Sequence, residues 1–259
     1  MILDEILAHK RAEVAARKRA RPQAGLAFRD TPRDFAAALR APGLSIIAEI
    51  KRRSPSGGEL RPGATIQAAD LARTYAEAGA AALSVLTDNR YFGGEDDDLL
   101  GARAACELPV LRKDFVVDEY QVYEARALGA DAVLLIVRAL PAAELARFIG
   151  LASDLGMAAL VETHSGDEVR VALEAGARVI GVNNRDLDTL VTDPSLALLL
   201  RDLVPPDRVF VAESGVSEPE QLDALAAAAV DAVLIGESLL RAADPGARLR
   251  ELANVGVQP

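Results

Sequence analysis

Eight short apolar runs, rich in β-branched residues, punctuate the chain at Leu44–Ile50, Ala82–Thr87, Pro109–Arg112, Ala132–Val137, Ala158–Glu162, Val179–Val182, Val209–Glu213 and Ala232–Gly236. Each is continuous rather than alternating, the pattern of strands buried on both faces of a parallel sheet. Amphipathic segments of helical length, rich in Ala, Leu, Glu and Arg, fill the gaps. Strands alternating with helices predict serial β-α units. A weak repeat marks the helix-to-strand joints: Glu77-Ala78-Gly79-Ala80, Ala127-Leu128-Gly129-Ala130 and Glu174-Ala175-Gly176-Ala177, with Gly156 before Met157 in the same role. Glycine suits the left-handed residue that ends a helix. The helix-to-strand side is therefore short and structural, and the charged, Gly-rich and Ser-rich loops lie on the strand-to-helix side.

Eight such units predict a closed (β/α)8 TIM barrel, a fold of about 250 residues whose active site lies at the C-terminal strand ends. An open doubly wound sheet is the alternative. It would carry G-x-G-x-x-G after its first strand, and none follows Ile50. The expected organisation is one domain, with the barrel over 44–259 and a helical extension over 1–43. Within the extension, Ile2, Ile6, Leu7 and Val14 mark one face of a helix over Leu3–Arg19. A second helix fits Asp34–Arg40, with Thr31-Pro32 as cap and first-turn proline. The pattern leaves two placements open, under the barrel bottom or over its pocket.

Composition narrows the partners. The 259 residues are 51% hydrophobic, ample for one continuous core, and the net charge is −10. Such an acidic protein is not expected to bind nucleic acid, whose phosphates attract basic faces, although a local basic pocket for a small anion stays open. Cys106 is the single cysteine, so no internal disulfide is possible and a reducing cytoplasm is expected. It reads as a half-buried core thiol. His9 and His164 are far apart and match no metal-ligand spacing. The charged stretch over residues 1–22 lacks the apolar core of a signal peptide, and no segment has the length and apolarity of a membrane span.

Candidate chemistry gathers where the apolar runs end. Polar strand ends recur at Glu49-Ile50-Lys51-Arg52-Arg53, Arg112-Lys113-Asp114, Glu162-Thr163-His164, Asn183-Asn184-Arg185-Asp186 and Glu213-Ser214-Gly215, which suggests a shared pocket. Barrels hold phosphate near strands 7 and 8, through loop amides and a short helix N-terminus. Ser214-Gly215-Val216-Ser217 and Gly236-Glu237-Ser238 occupy those positions, and Ser54 and Ser56 add hydroxyls from the first loop. Glu49, Lys51, Lys113, Glu162 and Glu213 read either as salt bridges closing the barrel mouth or as proton-transfer groups. Acids and lysines in a water-poor pocket shift one another's pKa values toward such work. Asp96-Asp97-Asp98 reads as a helix start rather than a metal site. Tyr91-Phe92 and Phe115 either wall an aromatic substrate or pack the core.

With these residues in place, the chain resembles indole-3-glycerol-phosphate synthase, the ring-closing enzyme of tryptophan biosynthesis. The strings IIAEIKRRSPSGG, LSVLTDNRYFGG, VLRKDFVVDEYQVYEARALGADAVLLIV, GVNNRDL, VAESGV and IGESLL carry the resemblance, which runs from the N-terminal helix through Arg250. It implies a carbon-carbon lyase acting on 1-(2-carboxyphenylamino)-1-deoxyribulose 5-phosphate without metal or redox cofactor. The anilino ring carbon attacks the ribulose carbonyl, carbon dioxide leaves, and loss of water gives the indole. Lys113 would be the general acid, Glu162 the general base, Lys51 a carboxylate-binding residue or second proton donor, and Glu49 the orienter of a lysine. Asn183 and Arg185 would anchor polar groups, Glu213 and Ser214 would complete the pocket beside Phe92 and Phe115, and Ser54, Gly215, Gly236 and the Glu237 backbone would cradle phosphate. The Glu237 carboxylate would have to turn away from that phosphate. The extension then reads as a pocket cover. A monomer, with transient contacts to other enzymes of the pathway, is a further expectation. Other phosphosugar barrels, a phosphoribosylanthranilate isomerase or a Schiff-base aldolase, are the rivals, together with a non-catalytic phosphosugar-binding barrel.

Overall fold

A computed structural model describes residues 2–28, 30–55, 57–61 and 66–254. Eight parallel strands close a barrel in chain order: β1 (Ser45–Ile50), β2 (Ala82–Leu86), β3 (Val110–Lys113), β4 (Ala132–Ile136), β5 (Ala158–Thr163), β6 (Val179–Asn183), β7 (Val209–Glu213) and β8 (Ala232–Ile235), with β1 pairing both β2 and β8. This is the (β/α)8 barrel expected from the eight runs. Nearly every strand residue is buried, as unbroken apolar runs require when helices cover the outer face. Boundaries differ from the apolar runs by one residue or so. Lys113, Thr163 and Asn183 end their strands although the apolar run has stopped, because the ladder continues into the residues that carry polar groups to the pocket.

The helix-to-strand joints behave as their repeat predicts. Gly79, Gly129, Gly156 and Gly176 have φ of 96°, 87°, 77° and 87°, in the left-handed region where a side chain would be strained. The same end of the barrel holds two matching clips. Asp131 and Asp231, each just before its strand, accept the backbone N–H of Val110 and Phe210 at 2.7 Å.

The extension divides between the two ends of the barrel. Its first helix, α1 (Ile2–Ala20), buries Leu3, Ile6, Leu7, Lys10 and Val14 and places Ile2, Leu3 and Ile6 over a cavity at the C-terminal strand ends. The second, α2 (Phe35–Leu39), packs against β1 and β2, and the chain entering it is held at the opposite end. Here the expected cap is corrected: Asp34, not Thr31, caps α2, accepting from Ala37 N–H at 2.9 Å. The backbone N–H of Arg33 is committed to Asp131 at 2.6 Å, and Pro32 lies against Gly156, so the helix begins only beyond them. The Asp96-Asp97-Asp98 run opens a helix over Asp96–Ala105 behind a capping box with Glu95, as expected of carboxylates at a helix start. Among the described residues, no helix is long and apolar enough to cross a membrane.

Candidate active site

Strand alternation decides which polar residues meet. Side chains at the ends of β1, β3, β5, β6 and β7 turn into one cavity, lined by Glu49, Lys51, Lys113, Glu162, Asn183 and Glu213. Lys113 Nζ is the centre of the group, 2.7 Å from Glu162 Oε2 and 2.6 Å from Glu213 Oε2. Lys51 Nζ donates to Glu49 Oε1 at 2.6 Å, and Ser84 Oγ donates to Glu49 Oε2 at 3.2 Å. Asn183 Nδ2 reaches Glu162 Oε1 at 3.2 Å, and its own Oδ1 accepts the Arg185 N–H at 3.0 Å. The salt-bridge alternative for these residues is thus present, and it sets the lysines against the acids that the proton-transfer alternative would use.

Burial sets the charges apart. Burial alone would drive the Lys113 ammonium toward its neutral form, but Glu162, Glu213 and Glu49 outweigh it and hold its pKa above the ordinary lysine range. Burial pushes Glu162 up, yet Lys113 and then His164 outweigh that and hold it well below the ordinary carboxylate range. Glu213 takes the other course: burial first, then repulsion from Glu162 and Glu49, leaves it raised to about 7 despite Lys113. Two carboxylates on one lysine therefore separate into a firmly ionised one and one that holds its proton more readily.

The apolar half of the cavity is formed by Phe92, Phe115, Leu86, Leu134, Ile136 and Leu187, roofed by α1. The Phe92 and Phe115 rings lie 6.1 Å apart, tilted by 38°. Tyr91, grouped with Phe92 in the sequence, turns instead toward α1, where its hydroxyl donates to Glu5 Oε1 at 3.3 Å and its ring meets His9 edge-on. It does not join the wall.

At the β7 and β8 loops, Ser214 and Gly215 have φ of 64° and 74°, two successive left-handed residues. Asn184 Nδ2 braces this turn from the Ser214 carbonyl at 2.9 Å. Gly236 precedes a short helix over Glu237–Arg241, and a Cβ there would come within 2.7 Å of Glu49 Oε1. The Glu237 carboxylate accepts from Arg241 Nε at 2.9 Å and lies 3.8 Å from Arg185 Nη2, which ties it sideways. Ser54 lines the cavity, and its Oγ accepts the Gly57 N–H at 3.0 Å. Ser56 lies outside the described residues. Ser217 lies beside the helix that follows, with its N–H on Gln221 Oε1.

Not every charged strand end feeds the cavity with all its residues. Arg112 turns to the helix layer, bonding Glu124 at 2.8 Å and the Gln121 carbonyl at 3.2 Å. Arg52 pairs with Asp98, and Arg53 donates to the Asn89 and Arg90 carbonyls. Lys10, on the buried face of α1, sits 2.8 Å from Asp88 and 2.9 Å from Asp114. Two contributors were not singled out from the sequence: Lys10, hidden among the charges of a helix, and Gly181, seen only inside GVNNRDL; His164 was named at its polar strand end but given no role. A Cβ at Gly181 would collide with Glu213 Oε1, so glycine there makes room for that carboxylate. An E-x-H-x-x-x-E spacing running from a strand end into the next helix was the available signal for His164.

A family model described as Indole-3-glycerol phosphate synthase matches residues 3–252. The chain belongs to this family. Its relatives include "Indole-3-glycerol phosphate synthase 2" of Streptomyces coelicolor, 54% identical over 97% of this chain and 98% of the relative. The "Indole-3-glycerol phosphate synthase" of Laribacter hongkongensis is 50% identical over the same shares. Among solved structures, 3-hexulose-6-phosphate synthase from Salmonella typhimurium matches with a TM-score of 0.63 over 82% of this chain and 98% of that one. At 15% identity, that likeness shows the fold alone. The family resemblance is thus borne out, and the closed barrel sets the open doubly wound sheet aside.

Proposed function

We propose that this cavity closes the indole ring of indole-3-glycerol phosphate from 1-(2-carboxyphenylamino)-1-deoxyribulose 5-phosphate. The observation that carries the reading is the Lys113 ammonium, held between Glu162 and Glu213 beside an aromatic wall. Lys113 protonates the ribulose carbonyl as the ring carbon attacks, so no free oxyanion has to form. The ring carboxylate then leaves as carbon dioxide, restoring aromaticity. Protonation of the new hydroxyl lets water depart, while Glu162, held ionised, takes the proton from the neighbouring carbon. Lys51, oriented by Glu49, receives the substrate carboxylate or donates the second proton. Asn183 and Arg185 hold polar groups of the chain, and Glu213 tunes the lysine.

Phe92 and Phe115 receive the anilino ring, and Ser54, Ser214, Gly215, Gly236 and the Glu237 N–H receive phosphate. With its carboxylate bound by Arg241, Glu237 leaves that N–H side open to an anion. Anchors at both ends of a flexible substrate fold it back on itself and lower the entropic part of the barrier. The α1 roof, as part of an extension over residues 1–43, excludes water. The reading includes a cofactor-free monomer in a reducing cytoplasm, which the lone thiol of Cys106 suits.

A Schiff-base aldolase needs a neutral lysine as nucleophile. The carboxylates around Lys113 favour its charged form, which argues for acid catalysis. The test is a continuous fluorescence assay for indole-3-glycerol phosphate. Lys113→Ala and Glu162→Gln should lower kcat by about 10²–10⁴ with much smaller changes in KM. Turnover like wild type in both variants, or a borohydride-trapped adduct on Lys113, would sink the assignment.

A further inference from the structure

His164 is a buried titratable group that the chemistry above leaves unused. It follows β5 on the same face as Glu162, and its side chain is 2% exposed. Nε2 lies 3.4 Å from Glu162 Oε1, and Nδ1 lies 3.3 Å from Glu168 Oε2. Glu168 stands in the first turn of α3 (Gly166–Glu174), where the same oxygen accepts the His164 backbone N–H at 2.8 Å. Arg138, just beyond β4, donates to the other Glu168 oxygen at 2.8 Å. The outer nitrogen of His164 is thus held by a carboxylate that is itself held. The inner nitrogen has no well-formed hydrogen bond and points at the oxygen of Glu162 that Lys113 does not occupy.

We propose that His164 is a positioning residue for the general base: an imidazolium anchored on Glu168 that fixes Oε1 of Glu162, keeps Oε2 on Lys113 and keeps the carboxylate ionised. This rests on the reading of Glu162 as the base. Besides the Lys113 ammonium on Oε2, only the neutral Asn183 amide reaches Oε1, at 3.2 Å; a cation on that second oxygen fixes the plane more firmly and opposes protonation. The surrounding charges agree with a charged ring. Burial pulls the imidazole pKa down, but Glu162 and Glu168 outweigh it and raise it to about 9. Facing the ring are Glu162 from β5 and Glu168 from α3. Behind them stand Arg138, which also approaches Asp186 and Asp188, and Lys113 and Glu213 from β3 and β7.

The test compares kcat and KM against pH for His164→Asn, His164→Gln, Glu168→Gln and the wild type, after thermal melting confirms that each is folded. In the wild type, kcat should fall as pH rises through about 9 and the ring loses its proton. His164→Asn keeps an amide for Glu168 but neither charge nor reach. It should be about ten-fold slower at neutral pH, with KM within about two-fold, and should lack that alkaline limb. His164→Gln should also lose the limb, with a smaller loss of rate because its longer amide reaches Glu162. Glu168→Gln leaves the cavity lining intact and should move the limb to lower pH, because the imidazolium has lost its outer anion. The inference is overturned if the limb persists in both folded His164 variants or stays in place in Glu168→Gln. Glu162→Gln, run in parallel, separates the two readings. Its full activity removes the base assignment itself, whereas its inactivity beside unchanged His164 variants removes only the role of His164.

Discussion

Lys10→Met is the perturbation on which the structure makes its most quantitative statement. The Lys10 side chain is 1% exposed and touches Asp88 at 2.8 Å, Asp114 at 2.9 Å and Glu13 at 3.1 Å. Methionine keeps the stem and its packing but strips the buried Asp88 of Lys10 and leaves the buried Asp114 with Arg112 alone, at 3.4 Å. Removing one partner of a buried ion pair typically costs about 3–5 kcal/mol, because the other charge is stranded. At about 2–4 °C per kcal/mol for a chain of this size, the melting temperature should fall by roughly 6–20 °C.

The pH dependence has a definite sign. Lys10 is held above its ordinary range, burial being outweighed by Asp114 and Asp88, so its contribution is complete at neutral pH and fades only in strong alkali. Asp114 is held below the ordinary range: burial acts upward, but Lys10 and Arg112 outweigh it. Its contribution is therefore present above the unfolded pKa of about 3.9 and is lost as pH falls further. The gap between wild type and Lys10→Met should be large near neutrality and shrink below about pH 4. Differential scanning calorimetry at both pH values measures it, and Lys10→Met/Asp114→Asn should recover part of the loss through coupling of the two sites. A single variant melting within about 2 °C of wild type at neutral pH would refute the claim that this cluster is held by Lys10.

Two further outcomes follow from close approaches. Gly181→Ala should displace the Glu213 carboxylate and lower kcat by about ten-fold or more while circular dichroism stays unchanged; a variant as active as wild type would mean that the strand relaxes around the methyl group. Asp131→Asn turns an acceptor into an amide facing either the Val110 or the Arg33 N–H, so denaturant unfolding should report a loss of about 1–3 kcal/mol with activity retained.

The barrel was legible because its evidence is periodic and redundant. Eight unbroken apolar runs and four glycines at helix ends each say the same thing, so an error of one residue at a strand boundary changes nothing. The candidate site was legible to the extent that it lies on strand ends, where an apolar run stops at a charge. Legibility failed where one residue's role depends on another far away in the chain. Nothing near Lys10 marks it as buried, since its partners Asp88 and Asp114 belong to other strand ends. Tyr91 and Phe92 are neighbours of similar chemistry, yet one turn of helix sends the first to α1 and the second to the cavity. Thr31-Pro32 has the local signature of a helix start and lost to Asp34 because Asp131 holds the intervening backbone.

The tripeptide Arg112-Lys113-Asp114 joins framework and chemistry most closely. Successive side chains of a strand point in opposite directions, so Lys113 enters the cavity while its two neighbours turn toward the outer layer. Arg112 bonds Glu124 there, and Asp114 receives Lys10 from the helix whose first turns roof the cavity. Asp114 also accepts the N–H of Phe115, one of the two aromatic rings of the wall, at 2.8 Å. The lysine proposed as general acid, the ring beside it and the roof above are consequently held by one connected set of buried charges. Loss of Lys10 should for that reason slow turnover as well as lower the melting temperature. The slowing should appear in kcat more than in KM, because what loosens is the alignment of Lys113 with Glu162 rather than the phosphate end of the pocket.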